Sequence, residues 1–395
     1  MPDVFSFRVA AAVRCLAFAA VVGVSSPTLA LADSAPVVIG VVTAQSGALA
    51  SYDQPSLAGF KLAIDDINKR GGLGGKYKVK LVVKDTRSDM AVTVAAAQEV
   101  VDAGARIVIT PCDADPSIVV GQITQPLGIP TLTFCGTSPI LTGAVGDMMF
   151  ATYPTDNLQA SALASYAAEQ QLRKAYLLIS PDSTYTARLP EYFAQAYAKK
   201  GGKILGRSSY AMNQQDFSAI VTRIKHLREP PDLIMTAAYE PDFPAFIRQL
   251  RAAGVMTPVF GADAIGTPTV LGLGKLVDGV VFTAAGCATP GSRIEAFNER
   301  YKQVTGHAPQ STYEVNGYEI GLMLEAAAKN AGSMSGKALR NALASLENFQ
   351  GITSTITYAG TQRMPLRSIA LLRYENGARR CAKVITPAPA DIPAP

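Results

Sequence analysis

PVVIGVVTAQSGALASYDQPSLAGFKLAIDDINKRGGLGGKYKVKLVVKD, residues 36–85, decides the fold. Pro36–Ala44 is a short apolar run and predicts a buried strand. From Ser56, Leu57, Phe60, Leu62, Ala63, Ile64 and Ile67 recur at helical spacing until Gly71 and Gly72 stop the helix. Lys78–Asp85 then alternates as a strand does. This is one strand–helix–strand unit, and the rhythm continues downstream. AVTVAAAQEVVDAGA reads as a helix, RIVIT as a strand, SIVVGQITQPLG as a helix and PTLTF as a strand. Alternation of this kind implies a parallel sheet with helices on both faces.

The pattern restarts after ATYPTDN (151–157). KAYLLIS, KILGRSSY, DLIMTAA and TPVFGA are strands separated by helices. The fold class is therefore α/β, with two doubly wound parallel-sheet lobes. Three crossings are expected to join them, at 151–157, at VVFTAAGCATPG (280–291) and at STITYAGTQRMP (354–365). The expected division is 36–153 plus 285–357 for the first lobe and 156–283 plus 360–386 for the second. Residues 387–395, rich in proline, are expected to be a disordered tail. A hinged cleft between two lobes is a preferred place for a small ligand.

Residues 1–32 read as an export leader. Arg8 and Arg14 precede an apolar run from Cys15 to Val24, and Ala30-Leu31-Ala32 forms a small-residue cleavage site. That run is too short to span a bilayer, so the expected location is the periplasm. The formal net charge is +5 over 395 residues, with the basic residues scattered. No nucleic-acid stripe is visible, and no nucleic-acid partner is expected. With only His226 and His307 and no tryptophan, a metal site has little to work with and no cofactor is expected. The glycines of GSMSGKAL (332–339) lack the spacing of a phosphate loop.

In open α/β sheets ligands meet the carboxyl ends of the strands, so those ends hold the candidates. Ser46 and Gly47 offer a hydroxyl and backbone N–H groups to an anion, or form an ordinary turn. Asp113 and Asp115 end the strand at Ile107–Ile109. Cys112 and Cys135 each follow a strand with one helical crossover between them, which favours a disulfide; the alternative is two reduced thiols.

Taken in order, IGVVTAQSGALASYDQPSLAGFKLAIDDINKRGGLGGKYKVKLVVKD, FSAIVTRIKHLREPPDLIMTAAYEPDFPAFIRQLRAAG and VFGADAIG resemble the periplasmic solute-binding proteins of the branched-chain amino-acid type. These serve ATP-driven (ABC) uptake transporters. The resemblance covers nearly the whole chain after the leader. It implies a monomeric, non-enzymatic protein whose lobes close on a small amino acid or a related amide or aromatic compound. The closed form is then delivered to a membrane permease.

By the same resemblance Ser46 lines the cleft, Tyr52 packs on the ligand, and Cys135 and Thr137 grip its polar end. Tyr239 and Asp263 hold an ammonium, although relatives usually carry a glutamate where Asp263 stands. Tyr185 and Tyr313 wall the apolar part. At Asp113 many relatives carry a small hydroxyl residue that donates to the ligand carboxylate, which an ionised aspartate cannot do. Three readings stay open. Arg87 neutralises Asp113, or the ligand lacks a carboxylate, or Asp113 turns away to cap the next helix. A ligand-sensing subunit for a membrane receptor is the rival function, and an exported hydrolase a more distant one.

Overall fold

The computed structural model describes residues 35–395, which pack as one compact unit. The leader and its cleavage site lie outside the described residues. The chain runs β1 (Val37–Thr43), α1 (Ala50–Lys69), β2 (Val79–Asp85), α2 (Met90–Asp102), β3 (Ile107–Thr110), α3 (Ala114–Thr124), β4 (Thr131–Thr133), α4 (Leu141–Val145) and β5 (Met149–Phe150). These strands form a sheet of order β2-β1-β3-β4-β5, parallel throughout. One face packs on α1 through Phe60, Ile64 and Ile67, the other on α2 and α3 through Ala97, Val100 and Val120.

The second half repeats the scheme with α5 (Asp156–Glu169), β6 (Lys174–Ile179), α6 (Thr184–Lys199), β7 (Lys203–Ser209), α7 (Ser218–Lys225), β8 (Leu233–Thr236), α8 (Asp242–Ala252), β9 (Val259–Gly261), α9 (Pro268–Leu271) and β10 (Val281–Ala284). The chain then returns to the first sheet with α10 (Arg293–Thr305), α11 (Tyr313–Ala331) and α12 (Gly336–Ala344). A small hairpin follows, β11 (Phe349–Gln350) with β12 (Thr355–Ile356), and then β13 (Ile369–Glu375) and β14 (Ala378–Ile385). The second sheet has the order β14-β13-β10-β9-β8-β6-β7, with β13 and β14 antiparallel at one edge. In the first sheet the order reverses between β1 and β3, in the second between β6 and β8. Each reversal leaves a crevice at the strands' carboxyl ends.

Helix α11 lies against α1 at very close range because both present glycine at the contact. A Cβ on Gly317 would fall 1.9 Å from the Ser56 carbonyl oxygen, and one on Gly59 1.8 Å from that of Glu314. Both bridges of the described residues are formed, Cys112–Cys135 and Cys287–Cys381. The second ties the segment after β10 to strand β14.

The proline-rich tail differs from expectation. It is not a free segment: Asn157 Nδ2 donates to the Pro393 carbonyl at 2.8 Å, Ser161 Oγ to that of Asp391 at 3.1 Å, and Lys200 pairs with the Asp391 carboxylate at 2.9 Å. Proline removes backbone donors but not carbonyl acceptors, and side chains of α5 and of Lys200, just after α6, supply the missing donors. Composition does not reveal such partners. Among the described residues no helix is long and apolar enough to cross a membrane.

Between the sheets sits a buried ion pair. Arg367 Nη2 meets Glu319 Oε2 at 3.0 Å with both side chains fully inaccessible, and Arg367 Nη1 donates to the Thr152 carbonyl at 2.8 Å. Glu319 also accepts from the amide and hydroxyl of Thr353. Replacing Arg367 with Met leaves Glu319 buried and unpaired, and is expected to cost about 3–5 kcal/mol in denaturant unfolding. Gly317→Ala is expected to cost about 1–3 kcal/mol by overpacking α1 against α11, read as a lower midpoint at unchanged slope.

Candidate functional site

The two crevices face each other, and the strand ends of both sheets line one narrow cavity of about 10 Å³. Its walls are Leu49, Tyr52, Cys112, Cys135, Thr137, Tyr185, Tyr239, Asp263, Ala264 and Tyr313. From the first sheet, Leu49 and Tyr52 follow β1, Cys112 follows β3, and Cys135 and Thr137 follow β4. From the second, Tyr185 follows β6, Tyr239 follows β8 and Asp263 follows β9. Tyr313 opens α11. Of the ligand-contact candidates named from the sequence, seven thus line one space together with the disulfide candidate Cys112, and Asp113 touches it through Tyr239.

The tyrosines form one cluster. Tyr185 and Tyr239 stack with centroids 4.9 Å apart, Tyr52 tilts against Tyr239 at 5.6 Å, and Tyr313 meets Tyr52 edge-on at 5.8 Å. Their hydroxyls find polar partners, as buried tyrosines generally do. Tyr185 donates to Asp263 Oδ1 at 3.0 Å, and Tyr313 to the Asp263 carbonyl at 2.8 Å. Tyr239 donates to Asp113 Oδ2 at 2.8 Å, which joins the two sheets across the cleft. The Glu240 amide donates to the Tyr52 hydroxyl at 2.9 Å, and the Thr184 hydroxyl to Asp115 Oδ1 at 2.6 Å, two further bonds of the same kind.

Two expectations are corrected. Ser46 does not line the cavity. It is exposed, and its hydroxyl donates to Asp85 Oδ2 at 2.8 Å, because the turn at Gly47 directs the loop toward the end of β2. Leu49 takes the wall position instead. Arg87 is exposed and forms no ion pair with Asp113. Its own backbone amide bonds Asp85 Oδ1, and its positive φ keeps it in a turn at the rim. Asp113 caps α3, accepting from the Asp115 amide at 2.9 Å, while its other oxygen serves Tyr239. Capping and facing the cleft are therefore compatible.

Sequence reasoning missed Asp53. It is wholly buried in the first turn of α1 and accepts from the Thr43 hydroxyl and from the amides of Ala44 and Cys112. It thereby holds the ends of β1 and β3 together beside Tyr52. Its one signal is an acid immediately after Tyr52, in a stretch that reads as a loop before Pro55. The helix in fact begins at Ala50, with Pro55 inside it. Asp156 was missed too. It begins α5, is fully inaccessible, and neither carboxylate oxygen makes a hydrogen bond that satisfies distance and angle. The Thr137 hydroxyl is near enough to favour its charged form, but burial outweighs this and pushes its pKa far up.

Burial also pushes Asp113 and Asp263 up to about 6. Asp115 adds repulsion at Asp113, while the Tyr239 bond opposes the rise there and the Tyr185 bond opposes it at Asp263. Among the described residues no group of three or more metal-ligating side chains gathers.

Two mainly parallel sheets whose reversal points meet at one tyrosine-lined cavity define a two-lobed solute-binding protein. A family model described as periplasmic binding protein matches residues 36–379, and the chain belongs to that family. It is 27% identical over 358 residues to the Leu/Ile/Val-binding protein BraC3 of Rhizobium johnstonii, covering 90% of this chain and 96% of that one. Among solved structures it is similar to a branched-chain amino acid transporter substrate-binding protein from Streptococcus pneumoniae in complex with isoleucine. There the TM-score is 0.80 at 22% identity, over 89% of this chain and 100% of that one. A solute-binding protein from R. palustris in complex with benzoate matches with a TM-score of 0.78 at 18% identity, over 89% and 97%.

An acid whose pKa is higher folded than unfolded holds its proton longer in the fold. Its folded state therefore gains stability as pH falls through the folded value and loses it as pH rises. Lowering the pH from about 7.5 to about 5 is expected to stabilise the protein by about 1 kcal/mol for each of Asp113 and Asp263. Thermal melts across that range should show the gain, and Asp113→Asn should remove its own share.

Proposed function

We propose that this chain is the extracytoplasmic solute-binding component of an ABC importer. It captures a small amino acid or a related amide or aromatic compound between its lobes and presents the closed form to a membrane permease. The observation that carries this reading is the convergence of both sheets' carboxyl edges on one cavity, closed by Tyr239 on Asp113. Family membership and the relatives that bind leucine, isoleucine, valine or benzoate support it. The leader at residues 1–32 would send the chain to the periplasm, where it works as a monomer.

Closure follows from the arrangement. Each lobe contributes roughly half of the cavity wall, so a bound solute gains its full set of contacts only when the lobes meet. Hinge closure is the usual motion for such a geometry. The three passages of chain between the sheets, after β5, after β10 and before β13, provide the hinge. The two histidines are exposed and neither lines the cavity.

The test is thermal unfolding against a panel of amino acids, their amides, amines and aromatic acids. A ligand at about 100 times its dissociation constant adds about 2.7 kcal/mol to the folded state, a rise of several degrees. At least one panel member should give this rise, and a flat response across the whole panel would count against solute capture.

A further inference from the structure

We propose that the cleft selects a small organic cation without a carboxylate, an amine or amidinium on an apolar or aromatic body, in preference to a zwitterionic amino acid. This rests on the solute-capture reading above and narrows its ligand class. Besides Asp53, whose carboxylate is held by the Ala44 and Cys112 amides, three carboxylates belong to the cleft or lie directly behind it. Asp263 is a wall residue, Asp113 bonds the wall residue Tyr239, and Asp156 lies behind Thr137, its amide donating to the Thr137 carbonyl at 2.8 Å. Their exposures are 4%, 8% and 0%. None takes part in any ion pair among the described residues. The wall itself holds no lysine, arginine or histidine.

An unpaired buried carboxylate is costly unless something neutralises it. Asp156 is the extreme case, because the residue is completely inaccessible and only the nearby Thr137 hydroxyl favours its charge. Burial favours the protonated form at all three positions, which is the response of acids that lack a cation. A ligand bearing one positive charge supplies that cation. The tyrosine faces add to the preference, since an aromatic face attracts positive charge and does so more strongly in a desolvated site. A zwitterion brings the same ammonium but also a carboxylate, which would enter a closed space with three acids and no basic group. Like charges brought together at low dielectric repel strongly.

The experiment is isothermal titration of the protein, exported with its own leader and purified, with four compounds that share the five-carbon 3-methylbutyl unit. These are 3-methylbutylamine, leucine, 4-methylpentanamide and 4-methylpentanoate. The amine is expected to bind about tenfold more tightly than leucine or the neutral amide, with the acid weakest. Asp113→Ser keeps a capping side chain on α3, and a melt of the variant checks that it folds. It should narrow the amine-to-leucine ratio by about fivefold or more. Leucine binding as tightly as the amine would overturn the charge argument and leave solute capture standing. The neutral amide matching the amine would overturn it as well, because hydrogen bonding rather than charge would then be what is read. Silence from all four and from the wider panel would remove the solute-capture reading together with this one.

Discussion

The buried pair of Arg367 and Glu319 is the contact on which the two-lobed arrangement turns. Arg367 lies just before β13, Glu319 on α11, Thr152 just after β5, and Thr353 in the hairpin loop that Arg367 and Glu319 share. Gly286, just after β10, packs so closely on Thr353 that a Cβ there would lie 2.8 Å from the Thr353 carbonyl oxygen. The ion pair and the Thr353 it holds thus reach all three places where the chain passes between the sheets. Such a pair contributes little net stability in itself, because desolvation offsets most of its attraction. What it does is penalise any arrangement in which the crossings separate, since either charge left alone in that interior is far more costly.

From that pivot the cleft inherits its geometry. Both sheets reverse their order at one point, and both reversal points are turned toward the same cavity. Asp53 joins the ends of β1 and β3, and the Cys112–Cys135 bridge joins the ends of β3 and β4. The first lobe therefore presents a braced edge. The second presents stacked tyrosines whose hydroxyls are held by Asp263 and Asp113. Four of the ten wall residues are tyrosines, so much of the shape and apolar contact comes from aromatic faces, while charge is confined to a few buried acids.

Much of this was legible in the chain. The 36–85 stretch carries an unmistakable strand–helix–strand pattern, and its repetition announces two parallel sheets. Tyr52, Cys135, Thr137, Tyr185, Tyr239, Asp263 and Tyr313 could be placed at the site because each follows a strand end or opens a helix, where α/β folds bind ligands, and because the resemblance marked those positions. Ser46 and Arg87 stand at such an end too, yet the turn at Gly47 and the positive φ of Arg87 carry both to the rim. A local turn thus defeats a rule that holds for the strand as a whole. The tail at 387–395 shows the same limit, since its carbonyls are satisfied by side chains more than two hundred positions away.

The sequence alone determined the class of the fold, the number of parallel sheets and the strand ends from which a site could be assembled. These follow from periodicity and from glycine and proline placement, which act over a few residues. The tertiary structure decided which acids face one another without a cation, that Asp113 both caps a helix and reaches Tyr239, and that Arg367 and Glu319 pin the crossings. Those outcomes depend on residues far apart in the chain and on their removal from water. Burial sets the charge balance of the cleft, and burial is a property of the assembled fold that no local pattern encodes.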